Sequence, residues 1–213
     1  LELLLCVLGV PLRLLERADA TFDGRDRAAL LFNYGNSLLK LGRGDEAVGF
    51  WKDALAQVAA EPEREKLAGL EARIHTVLSE QLFATGRVSE AEKEVALAEP
   101  LVARTGKVIV NLEFTSRVAN GYFLAGKPRQ ALTWIERSEP LLVKILTEDP
   151  GPSTWESLFK HWHLLPAQAI EILLEQPRSK TAHRRALATA EGAKGRLLGW
   201  LRFGPTPEGA KAA

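Results

Sequence analysis

From residue 27 onward, apolar residues recur at intervals of three and four in long runs divided by short polar breaks, the spacing of a buried face on an α-helix. The first run, 27–41, puts Leu31, Tyr34, Leu38 and Leu41 on one face. The second, from residue 45 to about residue 60, does the same with Ala47, Phe50, Trp51, Ala54 and Val58. A longer run, 64–85, carries Leu67, Leu70, Ile74, Leu78 and Leu82, and 89–102 returns antiparallel to it. Runs 107–125 and 128–146 make a third pair. Asp26 is the expected N-cap of the first run, and Pro62 restarts the chain after the second. Pro128 opens its helix where a missing N–H costs nothing. The pattern predicts an all-α chain.

Three of the breaks share one form: Gly42-Arg43-Gly44-Asp45-Glu46-Ala47, Gly86-Arg87-Val88-Ser89-Glu90-Ala91 and Gly126-Lys127-Pro128-Arg129-Gln130-Ala131. Each is a Gly, a basic residue, two variable residues, Glu or Gln, then Ala. The Gly supplies a left-handed C-cap for one helix, and the Glu or Gln meets unpaired N–H groups and a positive dipole end in the next. The small Ala lets two helix backbones approach closely. The alanines recur after 44 and then 40 residues, within the window for helical repeats. The unit is therefore a helix–turn–helix pair, repeated.

Ahead of the array, residues 1–8 are expected to form a short helix ended by Gly9-Val10-Pro11, and a second amphipathic run follows. The apolar start carries no basic leading segment or small-residue cleavage site, so a core helix is expected there and not a signal or anchor. Asp149-Pro150-Gly151-Pro152 is the firmest breaker. It divides an array over 1–149, about three full repeats plus an N-terminal half repeat, from C-terminal helices over 150–203 that complete or cap it. Residues 204–213 are expected to be a flexible tail. Within 150–203, Ser153 with Glu156 is a capping-box signature, Pro166 kinks or divides that helix, and 179–203 is the last helix.

The chain resembles the tetratricopeptide repeat family over roughly residues 28–146. The best copy of that family's pattern is Leu31, Tyr34, Gly35, Leu38, Gly42, Ala47, Trp51 and Ala54. A second lies at Leu78, Ser79, Leu82, Gly86, Ala91, Val95 and Ala98, and a third at Val118, Ala119, Tyr122, Gly126, Ala131, Ile135 and Ser138. The long periods are similar to the lengthened repeats in sensor domains of some bacterial transcription activators. The resemblance implies a right-handed α-α superhelix of antiparallel helix pairs. It also implies a concave groove, lined by the first helix of each pair, that holds a peptide or partner protein. By register, the groove residues are Phe32, Asn36, Arg73, Glu80, Phe83, Asn120 and Phe123. The family's carboxylate clamp needs a Lys one turn before such an Asn, and Phe32 and Ser116 stand there instead.

Composition adds mostly exclusions. Lys and Arg number 28 against 27 Asp and Glu, a net charge of +1, which removes any whole-chain argument for nucleic acid or an anionic membrane. The single Cys6 makes no internal disulfide, and no Cys or His pair has zinc-ligand spacing, so neither metal nor cofactor is expected and the cytoplasm is the expected compartment. No nucleophile elbow or carboxylate pair stands out. The expectation is a non-catalytic interaction module, a scaffold or a sensor domain. Two alternatives stay open. One is a hydrolase using His161 and His163, although residues two apart on a helix point roughly opposite ways. The other is the basic run 178–202, with Lys180, Arg184, Arg185, Lys194 and Arg196, acting as a membrane or nucleic-acid surface instead of a cap.

Overall fold

The computed structural model describes residues 23–147, 164–174, 181–182 and 184–192. Among the described residues all regular structure is helical, and the helices pack as adjacent pairs. The chain divides into two compact units, Leu1–Thr105 and Gly106–Ala213. The expected N-terminal helices, the breaker at 149–152, the Ser153–Glu156 box, His161, His163 and the tail all lie outside the described residues, as do the divisions expected at 149/150 and 203/204.

Among its described residues the first unit holds two pairs. Helix α1 (Gly24–Lys40) packs on α2 (Gly44–Ala60), and a 3₁₀ turn (Arg64–Leu67) leads into α3 (Ala68–Ala84), which packs on α4 (Val88–Thr105). Two boundaries correct the expectation. The N-cap of α1 is Asp23, not Asp26: the Asp23 carboxylate accepts the Asp26 N–H at 2.8 Å, so the helix opens three residues sooner. The run 64–85 is not one helix, because the chain leaves Pro62 through i→i+3 bonds, including Lys66 N–H to the Glu63 carbonyl at 2.9 Å, and turns α-helical only at Ala68.

The core of this unit is built from the predicted faces. Leu31, Leu38, Ala47, Trp51, Ala54, Val58, Ile74 and Leu78 are buried together. Trp51 is fully enclosed, its indole N–H donating to the Phe32 carbonyl at 3.3 Å. It lies against the backbone of α1 at Gly35, where a Cβ would stand 2.5 Å from Nε1. Phe50 is half-buried and meets Tyr34 edge-on at 4.5 Å between ring centroids. In α3, residues 71–79 are buried except for Arg73. The buried hydroxyls of Thr76 and Ser79 are satisfied locally, by the carbonyls of Ala72 and Thr76 at 2.7 Å each.

The second unit starts with α5 (Val108–Leu124) on α6 (Pro128–Thr147). Phe114 and Trp134 meet edge-on at 5.5 Å, and the buried Ser138 hydroxyl donates to Thr115 Oγ1 at 2.9 Å. Helix α7 (Leu164–Leu174) packs on both, with Pro166 in its first turn, where a missing N–H costs nothing; the residues before it, on which the expected kink or division bears, lie outside the described residues. Of the basic run, 181–182 and 184–192 are helical. Ala182 and Ala186 are buried with Leu173, against Leu132 and Ile170, and Arg185 pairs with Glu136.

The three expected turns are one structure repeated. Gly42, Gly86 and Gly126 take φ of +76°, +75° and +66°. In each, the Gly N–H bonds back three residues and the next N–H bonds back five: Arg43 to Leu38 at 3.0 Å, Arg87 to Leu82 at 2.8 Å, Lys127 to Tyr122 at 2.9 Å. This double closure satisfies carbonyls the helix end leaves open. The basic residue has a further role in two copies. Arg43 forks onto Glu46 at 2.6 Å twice, and Arg87 onto Glu90 at 2.8 and 2.6 Å. These bonds hold both carboxyls below their ordinary range. Ala47, Ala91 and Ala131, which follow directly, are all fully buried.

Candidate functional site

The expected groove residues divide between the two units. In the first, Phe32 and Asn36 lie one turn apart on α1, and Arg73 and Glu80 two turns apart on α3, so each pair shares a helix face. The Arg73 guanidinium sits 5.3 Å over the Phe32 ring, bringing together side chains from the first helices of successive pairs. Arg73 is exposed, and Asn36 and Glu80 are half-buried. Phe32 and Phe83 do not line an open surface, being 3% and 1% exposed. A helix inside an array is flanked on several sides, and burying a Phe is worth about 1.5–3 kcal/mol, so register alone does not identify which aromatic stays open.

In the second unit Phe123 is half-buried and Asn120 is engaged. Gln168 of α7 donates to Asn120 Oδ1 at 2.7 Å, a partner 48 residues away that the sequence pattern did not reveal.

A second arrangement in the first unit was not anticipated. A cleft of about 380 Å³ lies between α2 and α4, over α3. Leu55 and Ala59 come from α2, and Ala96, Leu97, Pro100 and Leu101 from α4. Glu71 and His75 stand on the α3 side, with Arg64 and Arg104 completing the lining. The Glu71 side chain is 5% exposed, and a carboxylate so enclosed needs a partner. Arg64, projecting from the 3₁₀ turn, supplies it through two N–H groups to the two carboxylate oxygens, a bidentate geometry. One turn on, His75 Nδ1 donates to Glu94 Oε2 of α4 at 2.6 Å, while Nε2 lies 4.0 Å from Glu71, beyond hydrogen bonding.

This chain of pairs ties the turn, α3 and α4 together, and it fixes the imidazole against a carboxylate in the manner of a catalytic His. The cleft lining contains no Ser, Thr, Cys or Lys to serve as nucleophile. Among the described residues no three His, Cys, Asp or Glu side chains converge as a metal site. No described helix is long and apolar enough to cross a membrane. No protein-family model, curated protein or solved structure matches the chain.

Proposed function

We propose that this chain is a non-catalytic interaction module, a scaffold or sensor domain of tetratricopeptide-like helix pairs in a right-handed superhelix, receiving a peptide or partner protein on the face of its first helices. The observation that carries this reading is the Arg73–Phe32 stack, which brings the first helices of two successive pairs into side-chain contact. Around it, Asn36 offers an amide able to give and accept backbone hydrogen bonds, and the exposed Arg73 offers a planar cation. Asn120 and Phe123 are the corresponding residues of the third pair. The repeated turns support the reading as well, since a binding face needs rigid helices at fixed spacing.

The test is selection from a displayed random-peptide library against the full chain. Enriched peptides should bind in solution, and Arg73→Glu with Asn36→Ala should weaken them at least about tenfold, the scale of an interface anchor, with the melting temperature held. Enriched peptides that bind the double variant unchanged would overturn the assignment of this face.

A further inference from the structure

We propose that the cleft between α2 and α4 is a binding site for a small amphipathic carboxylate, with an aliphatic body of medium length and one anionic end. Its two kinds of wall carry the argument. Leu55, Leu97 and Leu101 give an apolar channel, and Leu97 is 52% exposed, one of few large apolar side chains among the described residues left so open. Water against that surface is unfavourable, and an aliphatic chain would replace it. The volume, about 380 Å³, is at the low end of the range for small-molecule pockets.

The polar end of the cleft selects the charge. The carboxylate in its lining, Glu71, is already engaged by Arg64, and His75 is held by Glu94 behind it. Arg104 is different. Its side chain is 59% exposed and lies 3.9 Å from Glu65, too long for a hydrogen bond, and Glu65 is itself 90% exposed. A pair so solvated contributes little and is readily exchanged for a ligand carboxylate held by the guanidinium fork. Because Glu65 adjoins Arg64 in the 3₁₀ turn, this contact also places Arg104 at the turn's end of the cleft. From Ala96 to Arg104 the helix rises roughly 12 Å, so the aliphatic chain lies along α4 with its carboxylate toward Arg104. This site uses neither Asn36 nor Arg73 and stands independently of the face proposed above.

Octanoate titrated into the full chain, followed by amide NMR, should saturably shift residues of α4 between Ala96 and Arg104. Octylammonium, with the same body and opposite charge, should not. Arg104→Glu should weaken octanoate binding at least about tenfold, as expected for a lost charge-assisted contact. The melting temperature should hold, because that side chain is exposed. No saturable shift, equal binding of octylammonium, or unchanged affinity in Arg104→Glu would overturn the proposal. So would an acetylated apolar tripeptide acid that binds at least tenfold tighter than octanoate, since the site would then be a peptide site.

Discussion

Trp51→Ala should destabilise the first unit by about 3–5 kcal/mol, the loss typical of a large aromatic removed from a closed core. Trp51 is the largest fully buried side chain among the described residues and bridges α2 to α1 both by packing and by its bond to the Phe32 carbonyl. Its removal leaves a cavity and breaks the side-chain bond to α1 together. The position facing it turns this into a test of specific contact. Gly35→Ala in the native background drives a Cβ to within 2.7 Å of two indole atoms, and an enclosed indole has little room to move, so the change should cost about 1–3 kcal/mol. In the Trp51→Ala background the same change should stabilise, by up to about 1 kcal/mol, because Ala is the better helix former and the obstacle is gone. Chemical denaturation of the four proteins gives the coupling. If Gly35→Ala has the same effect in both backgrounds, α1 and α2 are not packed as described.

The second large effect is at the alanines that follow each turn. Ala47, Ala91 and Ala131 are fully buried, and Leu at any of them forces extra carbons into a close helix crossing. Each substitution should cost about 1–3 kcal/mol, and the three costs should be similar because the sites are equivalent. Thermal or urea melts of the three single variants check this. A tolerated Ala91→Leu would mean that the crossing at the second turn is loose.

These are the features most legible in the sequence, and the reason is physical. A left-handed C-cap and a close helix crossing each demand a particular small residue at a fixed position, so Gly42, Gly86, Gly126 and the paired alanines announce themselves through local chemistry. Helix α3 is the opposite case. It is buried nearly all round between residues 71 and 79, so its apolar residues do not mark one face, and its polar ones cannot be assigned without their partners. His75 finds Glu94 across 19 residues, and Arg64 finds Glu71 only because the chain after Pro62 makes a tight turn where one long helix was expected. The cleft is assembled from such pairings and left no periodic trace. Glu99-Pro100-Leu101 and Glu139-Pro140-Leu141 are a further repeated signal in the sequence. Each lies in the second helix of its pair, at the same distance beyond the turn alanine. Asn120 was found by register, but its engagement by Gln168 was not, because α7 is joined to α5 by no local pattern.

The central claim is that three copies of one helix–turn–helix unit are closed by a left-handed glycine, and its most direct test is the sign of Gly→Ala at residues 42, 86 and 126. In a turn with φ near +66° to +76°, with nothing within 4 Å of an added Cβ at any of the three, the only penalty is the backbone conformation, about 1–2 kcal/mol for an L residue. Melting temperatures of Gly42→Ala, Gly86→Ala and Gly126→Ala should therefore all fall, and by comparable amounts. Were these residues inside continuous helix, the same changes would raise the melting temperature, since Ala is favoured over Gly there by about 1 kcal/mol. A rise at any one of the three would contradict the repeat.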